Sequence, residues 1–338
     1  MTSPSTRPGP VPTVRELTAA AELSRYAPSV FNTQPWRWRV ARGRLALHAD
    51  PTRQLASTDP DGRLLTLSCG AVLHHARVAL AAAGWRVEVD RLPDPADPGL
   101  LARLRATGPG GLDVAAARLT EAIPRRRTDR RAFGDRPVPD EVLTGLRAAV
   151  EAEGAHLHVV RTDQMPMLAV STGRAADAEL ADPGYRGELH RWTHRSVGSG
   201  DGVPTSTAVR PAPRRVPLRD YAPGDAAGLA AGADFDRGAA YVILFGDRDD
   251  PAGWLRGGEA LSALLLTATA AGLSTAPISD TIELAWPRRM MRELLADVGE
   301  PYLVVRVGWG PPAAELPAAP RRPAAEVIEV DGDGDGDG

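Results

Sequence analysis

Two short stretches of this chain hold side chains whose types and spacing could do chemistry. Residues 125–131 read RRRTDRR, with five guanidiniums and one hydroxyl in seven positions. Forked guanidiniums suit a phosphate monoester, and Thr128 adds a hydroxyl donor. A solvated charge run or a nucleic-acid patch would read the same way. Against nucleic acid stand the absence of a wider basic domain and of interleaved aromatic residues. Residues 27–40 read APSVFNTQPWRWRV. Asn32 and Gln34 there carry amides that can both donate to and accept from a planar heterocycle. An ordinary helix-to-strand loop is the alternative. Other reactive types are sparse. The one cysteine, Cys69, excludes an internal disulfide and a thiol-based metal cage. It sits in an apolar helical run and reads as a small buried hydrophobe. His190 and His194 have i,i+4 spacing, but no third metal ligand is evident. His74, His75, His156 and His158 fall on helix and strand positions. No catalytic acid, nucleophile or metal site is assigned.

These stretches must be positioned by elements that the sequence also marks. Thr13 to Glu16 reads as a capping box opening a helix that places Val14, Leu17 and Ala21 on one side. That helix ends at Ala27-Pro28, since the residue before proline is pushed out of the α region. A hairpin follows, with Trp36, Trp38 and Val40 on one face and a turn at Arg42-Gly43. Residues 63–83 form a long helix, hydrophobic nearly all round and so a core helix. Gly84 ends it, and residues 85–89 alternate as a strand. Residues 91–111 are rich in Pro, Asp and Gly and read as a linker with one short helix. Helices are then expected over residues 114–123 and 140–152, a strand over 155–160, and a helix capped by Thr162 running to about Leu180. Residues 188–217 form a polar, Gly/Pro-rich excursion of the kind that serves as a lid or binding loop. A strand at 239–246, a long apolar helix at 255–271 ended by Gly272, and strands at 273–278 and 302–307 complete the pattern.

Length and composition bound the rest. The chain has 338 residues, 43% hydrophobic and 25% charged, with a formal net charge of -3, which suits a globular protein and provides no field to recruit nucleic acid or acidic membranes. No apolar run is expected to reach the length of a membrane span, and the first residues lack the apolar core of a signal peptide. The expected location is cytoplasmic. Residues 1–12 and the acidic tail 331–338 are expected to be disordered. Residues 13–111 and 112–330 echo each other. Each runs helix, strand, long alanine-rich helix, Ala-Ala-Gly, strand, which reads as an internal duplication.

The motif P-S-x-x-N-x-Q-P-W, present as Pro28, Ser29, Asn32, Gln34, Pro35 and Trp36, resembles the flavin-contacting loop of the FMN-dependent nitroreductase superfamily. More narrowly, the chain looks like the Acg-like branch, in which two nitroreductase-type halves are fused. Arg126, Arg127, Thr128 and Arg130 resemble that family's R-R-S-x-R motif, with threonine for serine and the aromatic Phe133 one residue late. The family uses this motif for the ribityl phosphate and the pyrimidine edge of FMN. Leu316-Pro317 followed by Arg321-Arg322-Pro323 resembles a second phosphate-binding pair. Residues 275–280 resemble the loop that packs on the isoalloxazine ring, where backbone at Ile278 and Ser279, after Pro277, donates to the flavin N5.

The resemblance implies an α+β nitroreductase-like fold: an internally duplicated pseudo-dimer with mixed β-sheets flanked by long helices, compatible with a monomer. It implies one FMN per chain. Arg126, Arg127, Thr128, Arg130, Arg321 and Arg322 would hold its phosphate end, and Ser29, Val30, Asn32, Gln34, Pro277, Ile278 and Ser279 its ring. NAD(P)H would act as a transient electron donor, stacked on FMN rather than held by a Rossmann domain, and a nitro, quinone or similar small molecule as acceptor. Trp192 and Arg195, in the excursion, are candidates to touch flavin or substrate. The alternative is a flavin-binding, flavin-sequestering protein whose excursion covers the FMN and leaves little reductase activity.

Overall fold

The computed structural model describes residues 10–196, 198–223, 228–311 and 316–331. Residues 1–9 and 332–338, which carry most of the two expected disordered ends, lie outside them. The capping box forms as read: Thr13 Oγ1 accepts from the Glu16 N–H, Glu16 accepts from the Thr13 N–H, and helix α1 (Val14–Ser24) follows. Its buried side is Leu17, Ala20, Ala21 and Ser24. Strands β1 (Trp36–Ala41) and β2 (Arg44–Ala49) make the hairpin, and Trp36, Trp38 and Val40 are fully buried.

Helix α2 (Arg63–Ala82) is followed by β3 (Trp85–Arg91) and β4 (Leu100–Pro109). The expected linker at 91–111 is thus corrected, because β4 pairs with both β2 and β3. Ala102, Leu104 and Ala106 are buried, while Arg103 and Arg105 are exposed. The expectation of no membrane-length run is also corrected. By length and composition α2 could span a bilayer, yet it lies buried inside the protein.

The second half runs α3 (Val114–Ala122), α4 (Asp140–Glu151), β5 (His156–Val159), α5 (Met165–Ala181), α6 (Pro183–Thr193), β6 (Ala240–Gly246), α7 (Pro251–Ala270), β7 (Ser274–Ile278), α8 (Asp280–Glu283), α9 (Ala285–Leu294) and β8 (Glu300–Gly308). Thr162 does not cap α5, whose N-cap is Gln164. Residues 188–193 belong to α6, so the irregular excursion starts at His194. Helix α10 (Ala324–Val327) and strand β9 (Ile328–Val330) close the chain.

The strand order is β3-β4-β2-β1-β9 in one sheet and β5-β6-β8-β7 in the other. Read from the β7 end, the second repeats the order of the first, with β7, β8, β6 and β5 standing for β3, β4, β2 and β1. Strand β4 is the member that completes this repeat. The first sheet is mixed, through the parallel β1–β9 pair. The second is antiparallel throughout its described strands, so only one of the two sheets is mixed.

The halves meet where α2 crosses α7. A Cβ on Gly70 would stand 2.1 Å from the Leu255 carbonyl oxygen, and one on Gly258 2.0 Å from that of Leu67. These reciprocal contacts make a two-fold-like crossing with backbone against backbone. Gly70 and Gly258 are as far apart in sequence as His74 and Ser262, which hydrogen-bond across the same crossing 188 positions apart. Gly84 and Gly272 keep that spacing, and each ends its helix at positive φ, +85° and +79°.

Gly70→Ala is expected to destabilise the protein by about 1–3 kcal/mol or more through overpacking. Gly145→Ala lies in α4 with open space around the new methyl, and should stabilise by roughly 0.5–1 kcal/mol through helix propensity. Urea unfolding of both variants reads the contrast, and equal midpoints would remove the crossing from its structural role.

Candidate functional site

At one end of the α2–α7 crossing lies a cavity enclosing about 1180 Å³ of empty space, part of it open to solvent. Leu64, Leu67 and Ser68 of α2 and Leu261 of α7 line its base. Three separate chain segments then converge on it.

The first is the loop between α1 and β1, which brings Ser29, Val30, Phe31 and Asn32 to the cavity. Its backbone is strained: Phe31, Asn32 and Gln34 have φ of 46°, 54° and 50°. Such non-glycine residues cost on the order of 1–3 kcal/mol each unless their surroundings hold them. Several hydrogen bonds do so. Ser29 Oγ accepts from the Gln34 N–H (2.9 Å), and Ser68 Oγ from the Val30 N–H (3.3 Å). Asn32 Nδ2 donates to the carbonyls of Gly202 and Pro320, both at 3.0 Å, and its Oδ1 accepts from Arg321 Nη1. Asn32 therefore lines the cavity with an amide already engaged. Gln34 does not line it. Its Nε2 donates to the Gly200 carbonyl (2.8 Å) and its Oε1 accepts from the Arg322 N–H (3.0 Å).

The second segment is the arginine run, with Arg126, Arg127, Thr128 and Arg130 on the cavity and Arg321 beside them. Asp129 and Arg131 point elsewhere and pair with each other. The run is fixed to the second sheet by Arg306 of β8, fully buried, whose Nη2 donates to the carbonyls of Asp129 and Arg131 at 2.8 Å. Arg126 is only 4% exposed, yet its Nε and Nη1 have no hydrogen-bond partner. Burial, then the charges of Arg321 and Arg127, pushes its pKa down to about 9. Arg321 is held down likewise, to about 10, by burial and then Arg127. Its Nε is also unpartnered. Three cations thus converge with no counter-anion among the described residues, an arrangement that is costly until an anion enters. Arg322 stays outside the cavity, donating to the Gln34 carbonyl near Asp50.

The third segment is β7 with the residues just after it. Pro277 and Ser279 line the cavity. Ile278, on the alternate face of the strand, points into the apolar cluster of Met291 and Val304.

The excursion, through Gly202, Val203, Pro204 and Thr207, and Tyr221 just after it form the cover. It is fastened at both ends. Asp201 pairs with Arg53 and Arg195, and the Gly202 N–H donates to the Asn32 carbonyl. At the other end Arg219, buried, faces the Asp280, Glu283 and Glu179 carboxyls at 2.5, 2.7 and 3.4 Å. It also lies over the rings of Phe31, Tyr185 and Tyr221. One arginine cannot balance three carboxylates. Burial, with Glu283 and Asp280 beside it, raises the Glu179 pKa well above the usual carboxylate range despite Arg219, which favours its protonated form. Trp192 and Arg195 do not reach the cavity; Trp192 packs beneath the guanidiniums of Arg53 and Arg195. The His190 and His194 rings stack, centroids 3.9 Å apart.

Ten of the thirteen residues anticipated from sequence line this cavity; Gln34, Ile278 and Arg322 do not. The helix residues at its base had one readable signal, Ser68 as a polar break in an apolar run. Tyr221 and Arg306 had none.

No family model matches the chain. It is 42% identical over 314 residues to Rv3131 of Mycobacterium tuberculosis, covering 91% of this chain and 89% of the relative. It is 38% identical over 328 residues to Acg of the same organism, covering 96% and 98%. Both bear the provisional name NAD(P)H nitroreductase. Among solved structures, the FMN-dependent nitroreductase NfnB of Mycobacterium smegmatis in complex with NADPH aligns with a TM-score of 0.38 at 17% identity, over 64% of this chain and 100% of that one.

The Glu179 geometry sets a pH dependence. A carboxyl whose pKa is raised on folding contributes stability below its unfolded value, near 4.5, and loses it as pH climbs toward its folded value. Wild-type stability should fall from pH 5 toward pH 9, and Glu179→Gln should flatten that fall. Parallel denaturation midpoints for both proteins across this range would show that Glu179 is ionised.

Proposed function

The chain belongs to the Acg-like branch of the nitroreductase family, and from that premise we propose that it binds one FMN in this cavity and passes electrons from NAD(P)H through it to a small-molecule acceptor. The observation that carries this reading is the corner of Arg126, Arg127 and Arg321, where buried N–H groups of Arg126 and Arg321 lack partners and suit a phosphate monoester. Thr128 adds its hydroxyl there. Ser29, Val30, Asn32, Pro277 and Ser279 would surround the ring. The bound flavin supplies the hydride chemistry. The protein's part is to orient the flavin, to keep water away with the apolar α2–α7 base, and to offer backbone donors near Pro277 and Ser279. Asn32 would act through its hold on Arg321 and Gly202 as much as through the ring.

The repeat argues for a single cofactor. In the second half the loop matching residues 25–35 shrinks to residues 152–155, between α4 and β5. Arg256 stands where the repeat places Ser68, its guanidinium 3.7 Å from where a Gly154 Cβ would be. Glu153, Arg77, Glu259 and Arg91 fill the adjoining space as one ion-pair network. The equivalent position is therefore filled with side chains.

A second reading has its own support. The cover is tied to the loop by Asn32–Gly202 and Gln34–Gly200 hydrogen bonds and by Asp201 through Arg53, which also donates to the Thr33 carbonyl. A cover held this firmly suits a protein that stores flavin and denies acceptors access to it.

A visible spectrum before and after anaerobic NADPH or NADH separates these readings. Flavin bands that bleach, and recover with a nitro or quinone acceptor, are expected of the reductase. Bands that bleach only with dithionite mean a closed flavin holder. A colourless protein that takes up no added FMN would sink both.

Arg126→Ala combined with Arg321→Ala should weaken FMN binding by roughly 1.5–3 kcal/mol per arginine. Fluorescence titration of the cofactor-free protein measures it, and an unchanged Kd would remove the phosphate assignment.

A further inference from the structure

Beside the cofactor cavity lies a smaller one, of about 550 Å³ of empty space, built from residues 209–220 of the cover together with Arg130. Arg130, Arg210, Arg214 and Arg219 line it, against a single carboxylate, Asp220. Nearby acids do not balance these charges evenly. Asp220 Oδ1 already accepts from the Ala222 N–H. Asp280, Glu283 and Glu179 outweigh the charge of Arg219 from behind, so the surplus positive charge of this cavity lies on Arg130, Arg210 and Arg214. Arg214 is buried and must share Asp236: Arg306 holds one oxygen at 2.5 Å, and Arg214 Nη1 stands 3.5 Å from the other. Arg130 and Arg210 form no ion pair among the described residues. Arg214 Nη1 and the Nε and Nη1 of Arg219 are buried without a hydrogen-bond partner. Guanidinium N–H groups in such positions are normally paired.

We propose that this cavity is a second anion site, which takes a phosphate ester or pyrophosphate group and is separate from the Arg126 corner. Its placement next to the larger cavity gives it a use, and in that respect it rests on the flavin reading. Arg130 lines both cavities, and its guanidinium lies 4.2 Å above the ring of Tyr221, which faces the larger one. A dinucleotide whose nicotinamide entered the larger cavity could lay its phosphates across that wall onto the arginines. A free phosphorylated metabolite would meet the same groups. Arg210 is exposed and so stands at the mouth, whereas Arg219 is buried and forms the inner wall.

The test is a calorimetric titration of inorganic pyrophosphate into the FMN-loaded full chain and into its Arg210→Glu variant. Arg210 is anchored by its backbone, whose N–H donates to the Leu229 carbonyl, so the variant is expected to fold and hold FMN, which the flavin absorbance checks. Saturable binding to the wild type, weakened about tenfold or more in the variant and further by salt, is the expected result. Repeating the titration with NADPH present identifies the source. Pyrophosphate displaced by NADPH assigns the site to the electron donor's phosphates; binding that persists assigns it to a separate phosphorylated metabolite. Either result supports an anion site. A wild type that binds no pyrophosphate, or binds it as well as Arg210→Glu does, overturns the proposal. A chain that takes up no FMN defeats the cofactor reading instead. The same titration on Arg126→Gln and Arg126→Gln/Arg210→Glu protein then reports on the second cavity alone.

Discussion

Where α2 crosses α7, Gly70 and Gly258 bring two helix backbones into direct contact, with no side chain between them. The site depends on this approach. Because the helices touch at their middles, Leu64, Leu67 and Ser68 can share one base with Leu261. The two halves meet in this one close crossing, and the irregular segments converge on its end. Interiors pack too densely to absorb an added methyl at such a point, so the constraint leaves little latitude. The same crossing creates two formally equivalent ends. At one end short side chains and a long loop leave a cavity; at the other Arg256 and the Glu259 network occupy the space.

The cofactor corner illustrates how electrostatics and folding are coupled. Arg126 is buried because Arg306 clamps the backbone of the run against the second sheet. The clamp removes the guanidinium from water before any partner is supplied. The cover follows the opposite logic. Around Arg219 carboxyls outnumber the cation, and their burial raises the pKa of Glu179 so that a proton there is favoured. An electropositive corner and an electronegative latch thus both bear on the loop of Phe31 and Asn32, Arg321 holding Asn32 and Arg219 lying over Phe31.

Much of this is legible in the sequence, for identifiable reasons. Thr13 and Glu16 mark α1 because a capping box is a local pattern, and Trp36 and Trp38 mark β1 because alternation is local too. The arginine run can be assigned to the cavity because few other uses suit so many forks. Strand β4 is hard to read because its inward positions include two alanines and its flanks hold prolines, aspartates and glycines, so that its alternation looks like a linker. Gln34 reads as a ring contact, yet its amide has partners at Gly200 and Arg322, remote in sequence, that no local pattern reveals. The same holds for Arg306, a charged residue in an otherwise apolar strand, which makes sense only once Asp236 and the arginine run are seen beside it.

Strand β9 lies parallel to β1, and just before it Arg321 reaches Asn32 across 289 positions of sequence. Contacts this distant along the chain must await closure of a very large loop. Each half could attain its sheet and its long helix while the anion corner remained incomplete. Ligand capture would then report on the last assembly step rather than the first, and a nascent or partly unfolded molecule would be blind to the cofactor until its two remote segments had met.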